Sequence, residues 1–160
     1  MSWGNANFEE LKALQEKLHK MQSSEIQTFC EAASKELAAR LLALVIKRTL
    51  PGKYPKGSGK KGGTLRRGWT GGQQASAKAF ADGCKVYKNG NNYTILVENT
   101  VEYASYVEFG HRKRGKNGGP AWGWVPGKFM LTLSEADLEA ITPQVLNNKL
   151  EAFLMEVFNG

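Results

Sequence analysis

Residues 98–112 read ENTVEYASYVEFGHR, and they separate predicted strands on their N-terminal side from predicted helices on their C-terminal side. Asn99 and Glu102 form a cap-like pair, so the sequence predicts a short helix from Thr100 to Phe109. Gly110 is predicted to end this helix in the left-handed conformation that favours glycine, and so to set the local geometry.

Short strands are predicted upstream of this stretch, over 64–70, 85–88 and 93–98. Asn89-Gly90 joins the last two in a hairpin, and the four-residue spacing predicts a turn looser than the two-residue kind. Residues 72–83 fit a strand by their alternating alanines and a helix by the propensity of alanine, and the sequence leaves both open.

Helices are predicted towards both ends of the chain from apolar residues at three- and four-residue steps. One covers 7–21, and the next begins at Ser24 and ends near Lys47 to Leu50, before a proline- and glycine-rich loop. Near the C-terminus, 132–140 is weakly helical, and a separate last helix is predicted with Pro143 in its first turn.

The order of these elements predicts an α+β fold, because the strands follow one another instead of alternating with helices. We expect a small, mainly antiparallel sheet packed against the N-terminal and C-terminal helices. A chain of 160 residues is long enough for one hydrophobic core and short for two. The predicted organisation is an N-terminal helical extension over 1–22 and a single α+β domain over 23–160.

The net charge of +7 is distributed unevenly along the chain. No acidic residue lies between Glu36 and Asp82, and none lies between Glu108 and Glu135. Both intervals contain glycine-rich loops with many lysines and arginines, which indicates a polyanionic or acidic partner. The alternative interpretation is that lysine keeps these loops soluble.

Several classes of protein find no support in the sequence. There is no run of about 18 apolar residues for a membrane helix, and the N-terminus lacks the basic-then-apolar pattern of a secretion signal. Cys30 and Cys84 are far apart in sequence and are expected to be reduced, which suits synthesis in a cytoplasm.

Catalytic and metal sites are also not predicted. No cluster of histidine, cysteine or paired carboxylates has ligand spacing, and Glu98, Glu102 and Glu108 are expected at the surface. A small hydrolase would use His111, but no serine or cysteine stands in a nucleophile-elbow sequence. We therefore expect no enzyme activity and no cofactor.

Cations and tryptophans occur together in 66–69 and again over 111–124. Lysine and arginine neutralise phosphates and tryptophan stacks on unpaired bases, which favours weak, salt-sensitive, sequence-independent contact with DNA; no sequence-reading module is present. Tryptophan and arginine are also enriched at protein interfaces, which we favour for the tryptophans. The predicted contacts to a DNA channel or an acidic partner are Lys53, Lys56, Lys60, Lys61, Arg66, Arg67, Arg112, Lys113, Arg114 and Lys116. The predicted subunit-interface residues are Trp69, Tyr103, Tyr106, Glu108, His111, Trp122, Trp124 and Phe129.

Three segments in this order resemble a known family: TLRRGW at 64–69, ENTVEYASYVEFGHR at 98–112 and GWVPGKFM at 123–130. The chain resembles the gene-10-like family of tailed-phage neck, head–tail joining or minor tail proteins. The resemblance covers roughly Gly63 to Phe158 and leaves out the segment before about residue 22. Gly68 departs from the family pattern, in which serine is frequent at that place.

The resemblance implies a structural virion protein without enzymatic activity, in a six-fold ring around the DNA channel where the tail meets the head. Its implied partners are other copies of itself, neighbouring connector, tail terminator or tail tube proteins, and packaged double-stranded DNA by non-specific contact, with no membrane. The implied location is the neck or tail of the virion, after synthesis in the cytoplasm of a bacterial host. The alternative functions are a sequence-independent nucleic-acid-binding accessory protein, acting as monomer or dimer, and a small hydrolase.

Overall fold

The computed structural model describes residues 23–115 and 122–159. In chain order it contains α1 (Ser23–Arg48), α2 (Thr64–Gly68), α3 (Ala77–Gly83), β1 (Tyr87–Asn89), β2 (Asn92–Thr94), α4 (Ala104–Phe109), β3 (Gly110–Arg112), β4 (Trp124–Pro126) and α5 (Met130–Asn159). The helix predicted over 7–21 lies outside the described residues, as does Lys116, so the predicted division at residue 22 stays a prediction.

The two long helices, α1 and α5, form an antiparallel pair. Near one end, the Arg48 guanidinium contacts the Asp137 carboxylate at 2.5 Å, and it also donates to Ser134 Oγ at 3.2 Å. Near the other end, the rings of Phe29 and Phe153 lie 4.9 Å apart. Apolar residues at helical spacing on α1 therefore pack along α5, as the periodicity of the sequence predicts.

The core lies where α1 meets the short elements. Leu42 and Val45 of α1 are fully buried and pack with Trp69, with Ala81 of α3 and with Met130 at the start of α5. Residues 77–83 form a helix because Ser76 Oγ accepts a hydrogen bond from Ala79 N at 3.1 Å and caps it. The ambiguity of 72–83 is thus resolved in favour of a helix.

Two separate two-stranded antiparallel sheets complete the described fold, which is α+β as predicted. In the first, Asn89 pairs with Asn92, so a two-residue turn connects β1 and β2. The expectation of a looser turn was wrong, since Gly90 at φ 59 permits a tight one. The paired strands are also shorter than predicted.

The segment 64–70 was predicted as a strand and forms a helical turn instead. Arg67 N donates to Gly63 O at 3.0 Å. Leu65 and Trp69 both reach the core from this turn, and Asn99 Nδ2, 34 residues from Leu65 in sequence, donates to Leu65 O at 2.8 Å. Tertiary packing therefore overrides the strand propensity of the flanking threonines.

The predicted break before the last helix was also wrong, because α5 is continuous through Pro143. Pro143 is exposed, so its ring points away from α1. Thr142 Oγ1 donates to Leu138 O at 2.8 Å, one turn before the proline. Ile141 and Val145, on either side of the proline, line a groove between α5 and α1.

Candidate functional site

The helix α4 lies between the two glycine-rich basic loops. Tyr103 and Val107 line one groove together with Tyr54, Lys61 and Leu65, on the side of the first loop. The same two residues line a second groove together with Tyr106 and His111 to Arg114, on the side of the second loop. The fold thus brings two basic segments, distant in sequence, to two grooves that share Tyr103 and Val107 at one short aromatic helix.

The second loop is held at its base by the pair β3–β4. His111 pairs with Val125 and Arg112 pairs with Trp124, and Lys113 N donates to Gly123 O at 3.1 Å beyond the last pair. The register places the first cation of the loop directly across from an exposed tryptophan. The described ends of the loop therefore lie side by side on a two-stranded base.

Gly110 is required where α4 turns into β3. Its backbone has φ 85 and ψ 173, a conformation that essentially only glycine adopts, although it differs from the left-handed helical one that was predicted. A Cβ atom here would lie 2.4 Å from Val125 O. Gly127 faces the same junction, where an added Cβ would lie 2.2 Å from Glu108 O. The close approach of the two backbones thus depends on both glycines.

Glu108 was predicted at the surface and at the subunit interface, and it is instead buried, with 6% of its area exposed. Its carboxylate accepts hydrogen bonds from Leu131 N at 3.0 Å, Thr132 N at 3.0 Å and Thr132 Oγ1 at 2.9 Å. A negative charge is favourable at a helix N-terminus, where backbone N–H groups lack partners within the helix. Glu108 is therefore the cap of α5.

Trp69 was also predicted at the subunit interface, and the structure places it in the core with 4% of its area exposed. Its indole Nε1 donates to Thr49 Oγ1 at 2.8 Å, and the same hydroxyl donates to Val45 O at 2.7 Å. A buried indole needs such an acceptor, and a threonine at the end of α1 supplies it. We therefore remove both Trp69 and Glu108 from the interface set.

The other predicted interface residues are accessible. Tyr103, Tyr106, Trp122, Trp124 and Phe129 are exposed, and His111 is partly exposed. Sequence reasoning missed Phe109, which ends α4 with its ring exposed, and Val107, which joins the two grooves. The helical spacing of 103, 106 and 107 is the signal that could have singled out this face.

Nine of the ten predicted cations lie in the described part of the chain and all nine are exposed: Lys53, Lys56, Lys60, Lys61, Arg66, Arg67, Arg112, Lys113 and Arg114. None of the nine forms an ion pair among the residues that the structure describes. Exposed cations that are not neutralised by acidic neighbours attract anionic partners over distances near the Debye length.

His111 makes its polar contact with a backbone group. Its Nδ1 lies 3.3 Å from Tyr106 O, and its ring meets the Tyr106 ring edge-on, with centroids 6.1 Å apart. The described residues contain no cluster of three or more histidines, cysteines or acids that could hold a metal ion. Over the same residues, no helix is long and apolar enough to cross a bilayer.

A protein-family model matches residues 12–110, which run through α1 to the start of β3. Its description is "Bacteriophage HK97-gp10, putative tail-component". The chain belongs to this family. It is accordingly a structural component of a phage tail, located in the virion, and it interacts with other tail or neck proteins. A tail-component family points to a protein without enzyme activity.

The family match confirms the resemblance and changes its extent. It begins at residue 12, so much of the predicted helix over 7–21 belongs to the family region, contrary to the expectation that the segment before residue 22 lies outside it. The match ends at Gly110, before β4 and α5. Neither the curated proteins nor the solved structures give a match.

Proposed function

We propose that this tail component is a ring subunit at the head–tail joint, where six copies complete the tail around the DNA channel. Its partners there are other copies of the chain and the neighbouring connector, tail terminator or tail tube proteins. The proposal is supported by the membership of the phage tail-component family and by the surface around α4.

The observation that carries the proposal is that Tyr103 and Val107 line both grooves beside α4. Each groove combines exposed aromatic rings with cations from one loop. Aromatic residues and arginine are the types that dominate binding energy in protein interfaces. A subunit of a closed ring contacts its two neighbours through two different surfaces, and two grooves lined by different basic loops suit that requirement.

The cations of the two loops would face the DNA channel or dock on acidic neighbours. DNA carries one negative charge for about every 1.7 Å of its axis, so even a few exposed cations in a channel interact with it without reading sequence. The absence of ion pairs for these cations within the described residues leaves their charge available for either partner.

The competing function is a sequence-independent nucleic-acid-binding accessory protein. It is favoured by the exposed Trp122 and Trp124 beside Arg112, because aromatic rings can stack on unpaired bases. The two functions differ in whether the protein associates with tails: a ring subunit does, and an accessory nucleic-acid-binding protein does not.

Charge reversal in the second loop separates the two functions. The test variant is Arg112→Glu with Arg114→Glu, and the control is Lys47→Glu with Lys85→Glu, which makes the same change in net charge at exposed positions outside both loops. Each is added to tails assembled without this chain. We expect the test variant to fail to incorporate into these tails and the control variant to incorporate normally.

Binding to double-stranded DNA is measured on the same variants at rising salt. An accessory nucleic-acid-binding protein would lose DNA binding on reversal, with a steep salt dependence, and would show no association with tails in either form. Normal incorporation of the test variant into tails would rule out docking of the second loop on a neighbouring tail protein.

A further inference from the structure

The first basic loop leaves the body of the protein and rejoins it at one point. A Cβ atom added to Gly62 would collide with the carbonyl oxygen of Gly52 and would lie 3.3 Å from Gly52 N. The two ends of the segment 52–62 therefore touch, as in an Ω-loop, a compact surface loop of roughly 6–16 residues with adjacent ends. Every residue from 50 to 61 is exposed. The segment 53–61, called here the lysine loop, thus projects from the body.

Hydrogen bonds within the lysine loop shape its outer part. Ser58 N donates to Pro55 O at 3.2 Å, and Lys60 N donates to Ser58 Oγ at 3.4 Å. Apart from chain neighbours, no atom lies within 4 Å of a Cβ atom added to Gly57, inside the turn at 55–58. The outer part of the loop is therefore held by its own bonds and is open to a large partner at the turn.

The side chains of the lysine loop fall into two groups. Tyr54 and Lys61 line the groove beside α4 together with Tyr103. The Tyr54 ring folds back on the base of the loop, since a Cβ atom added to Gly52 would lie 3.3 Å from Tyr54 Oη. The second group is exposed and forms no ion pair among the residues that the structure describes: Lys53, Lys56 and Lys60.

The chemistry of the second group favours phosphates as its partner. Protein interfaces are enriched in arginine and aromatic residues and depleted in lysine, so a set of lysines alone is a poor protein contact. A lysine ammonium acts as a point charge that binds phosphate without a fixed geometry. The sequence of 55–61, PKGSGKK, contains no aromatic residue that could stack on an unpaired base. The set therefore fits the phosphate backbone of a duplex and does not fit exposed bases.

The second basic loop has a different composition. Arg112 pairs with Trp124 across β3–β4, and His111 lies beside the exposed ring of Tyr106. Arginine, tryptophan and tyrosine are the residue types that dominate binding energy between proteins. The two loops thus differ in the kind of partner that their side chains suit, although both are basic.

We propose that the two loops divide the two partners. The lysine loop contacts the phosphates of double-stranded DNA through Lys53, Lys56 and Lys60, and the second loop docks on a neighbouring protein. This assignment rests on the proposed function and names, for each loop, the partner that the proposed function leaves open. The contact with DNA is independent of sequence, because phosphates position a protein on the duplex and carry no sequence information.

Charge removal in the lysine loop tests the contact with DNA in the full chain. The test variant is Lys53→Gln with Lys56→Gln and Lys60→Gln, which leaves the groove residues Tyr54 and Lys61 in place. The control variant loses the same charge at exposed lysines outside both loops, as Lys47→Gln with Lys85→Gln and Lys88→Gln. The probe is a short double-stranded DNA of random sequence, titrated at several salt concentrations. Circular dichroism verifies that both variants keep the parent fold.

The slope of log K against log salt concentration is the readout. It falls by about 0.9 for each lost phosphate contact, so we expect the test variant to flatten the slope by roughly 2–3 and the control variant by less than about 0.5. Equal slopes for the test variant and the parent, or no binding of the parent at low salt, would overturn the assignment. The titration reads the loop in a monomer as well as in a ring, so this failure is distinct from a failure of the ring.

Photo-crosslinking in complete, DNA-filled particles separates DNA from an acidic protein as the partner. The variants are Lys56→benzoylphenylalanine in the lysine loop and Arg114→benzoylphenylalanine in the second loop. We expect position 56 to cross-link to DNA and position 114 to cross-link to a tail or neck protein. A protein cross-link from position 56, or the absence of one to DNA, would overturn the contact of the lysine loop with DNA. A DNA cross-link from position 114 would overturn the division between the loops.

Discussion

Glu108 and Thr132 are joined by two hydrogen bonds, from Thr132 N and Thr132 Oγ1 to Glu108 Oε1, across 24 residues of sequence. Together with the bond from Leu131 N to Oε2, they start α5 on a carboxylate that α4 supplies. The residue before α5 is Phe129, at φ 49, which has no side-chain acceptor of its own. The Glu108 side chain therefore joins the aromatic helix of the site to the long C-terminal helix, in addition to the backbone bonds from Lys128 N to Val107 O and from Phe129 N to Glu108 O.

Replacing Glu108 tests this linkage. Glu108→Ala leaves three donors at the start of α5 without their acceptor, and we expect it to lower the free energy of unfolding by about 2–3 kcal/mol. Glu108→Gln keeps one carbonyl acceptor and should lose less. The control is Glu102→Ala, an exposed carboxylate nearby, for which a change within about 0.5 kcal/mol is expected. Denaturant unfolding measures all three, and equal effects of Glu108→Ala and Glu102→Ala would contradict the capping role.

Replacing Gly110 tests the junction between α4 and β3. Gly110→Val forces a β-branched residue to φ 85 and brings its Cβ against Val125 O, so we expect a loss of at least about 3 kcal/mol of stability. Gly83→Val is the matched control, because an added Cβ there meets no atom within 4 Å and the backbone φ is ordinary. Its melting temperature should stay near that of the parent. An unchanged melting temperature for Gly110→Val would rule out the strain.

The fold was predictable from sequence where periodicity was long and strong. The helix from Ser23 to Arg48 and the helical character near the C-terminus follow from their apolar spacing. Prediction failed in 64–70, where the turn receives hydrogen bonds from Asn99 and Thr100, distant in sequence, which the local pattern does not show. It also failed at Pro143, which stands at an exposed position inside α5 instead of in the first turn of a separate helix.

Trp69 illustrates the same limit for the candidate site. The sequence shows the pair Arg66-Arg67 shortly before Trp69. It does not show that Thr49, 20 residues earlier, accepts a hydrogen bond from the Trp69 indole. Glu108 is a similar case, because its partners lie on the next helix. The exposed tyrosines of α4 were predictable, since their spacing places them on one helical face, whereas the joining of two grooves at Val107 is a tertiary property.

Replacing Trp69 tests its assignment to the core. Trp69→Phe removes the hydrogen bond to Thr49 and leaves a small cavity, so we expect it to destabilise the fold by about 1–3 kcal/mol. Trp122→Phe is the control, because that side chain is exposed and should leave the unfolding transition in place. In a double-mutant cycle, Thr49→Val and Trp69→Phe should be non-additive. Additive effects would show that the bond contributes nothing to stability.

Replacing Tyr106 tests the surface of α4 separately from stability. The side chain is 59% exposed, so Tyr106→Ala should change the free energy of unfolding by no more than about 0.5 kcal/mol while weakening association with neighbouring subunits or tails. Tyr87→Ala is the matched control, a tyrosine of similar exposure on β1, away from both grooves. Pull-down with purified tails compares the two variants. Equal association would place the contact surface elsewhere on the subunit.

The ring is tested most directly by the mass of the protein in light scattering, alone and with purified tails, at low and high salt. Our account predicts a discrete species of six 17.6 kDa chains, about 106 kDa, either free in solution or recovered from the tails as a ring. Tyr106→Ala should shift that species towards the monomer, and Tyr87→Ala should not. A monomer under every condition, with no association with tails, would contradict the ring.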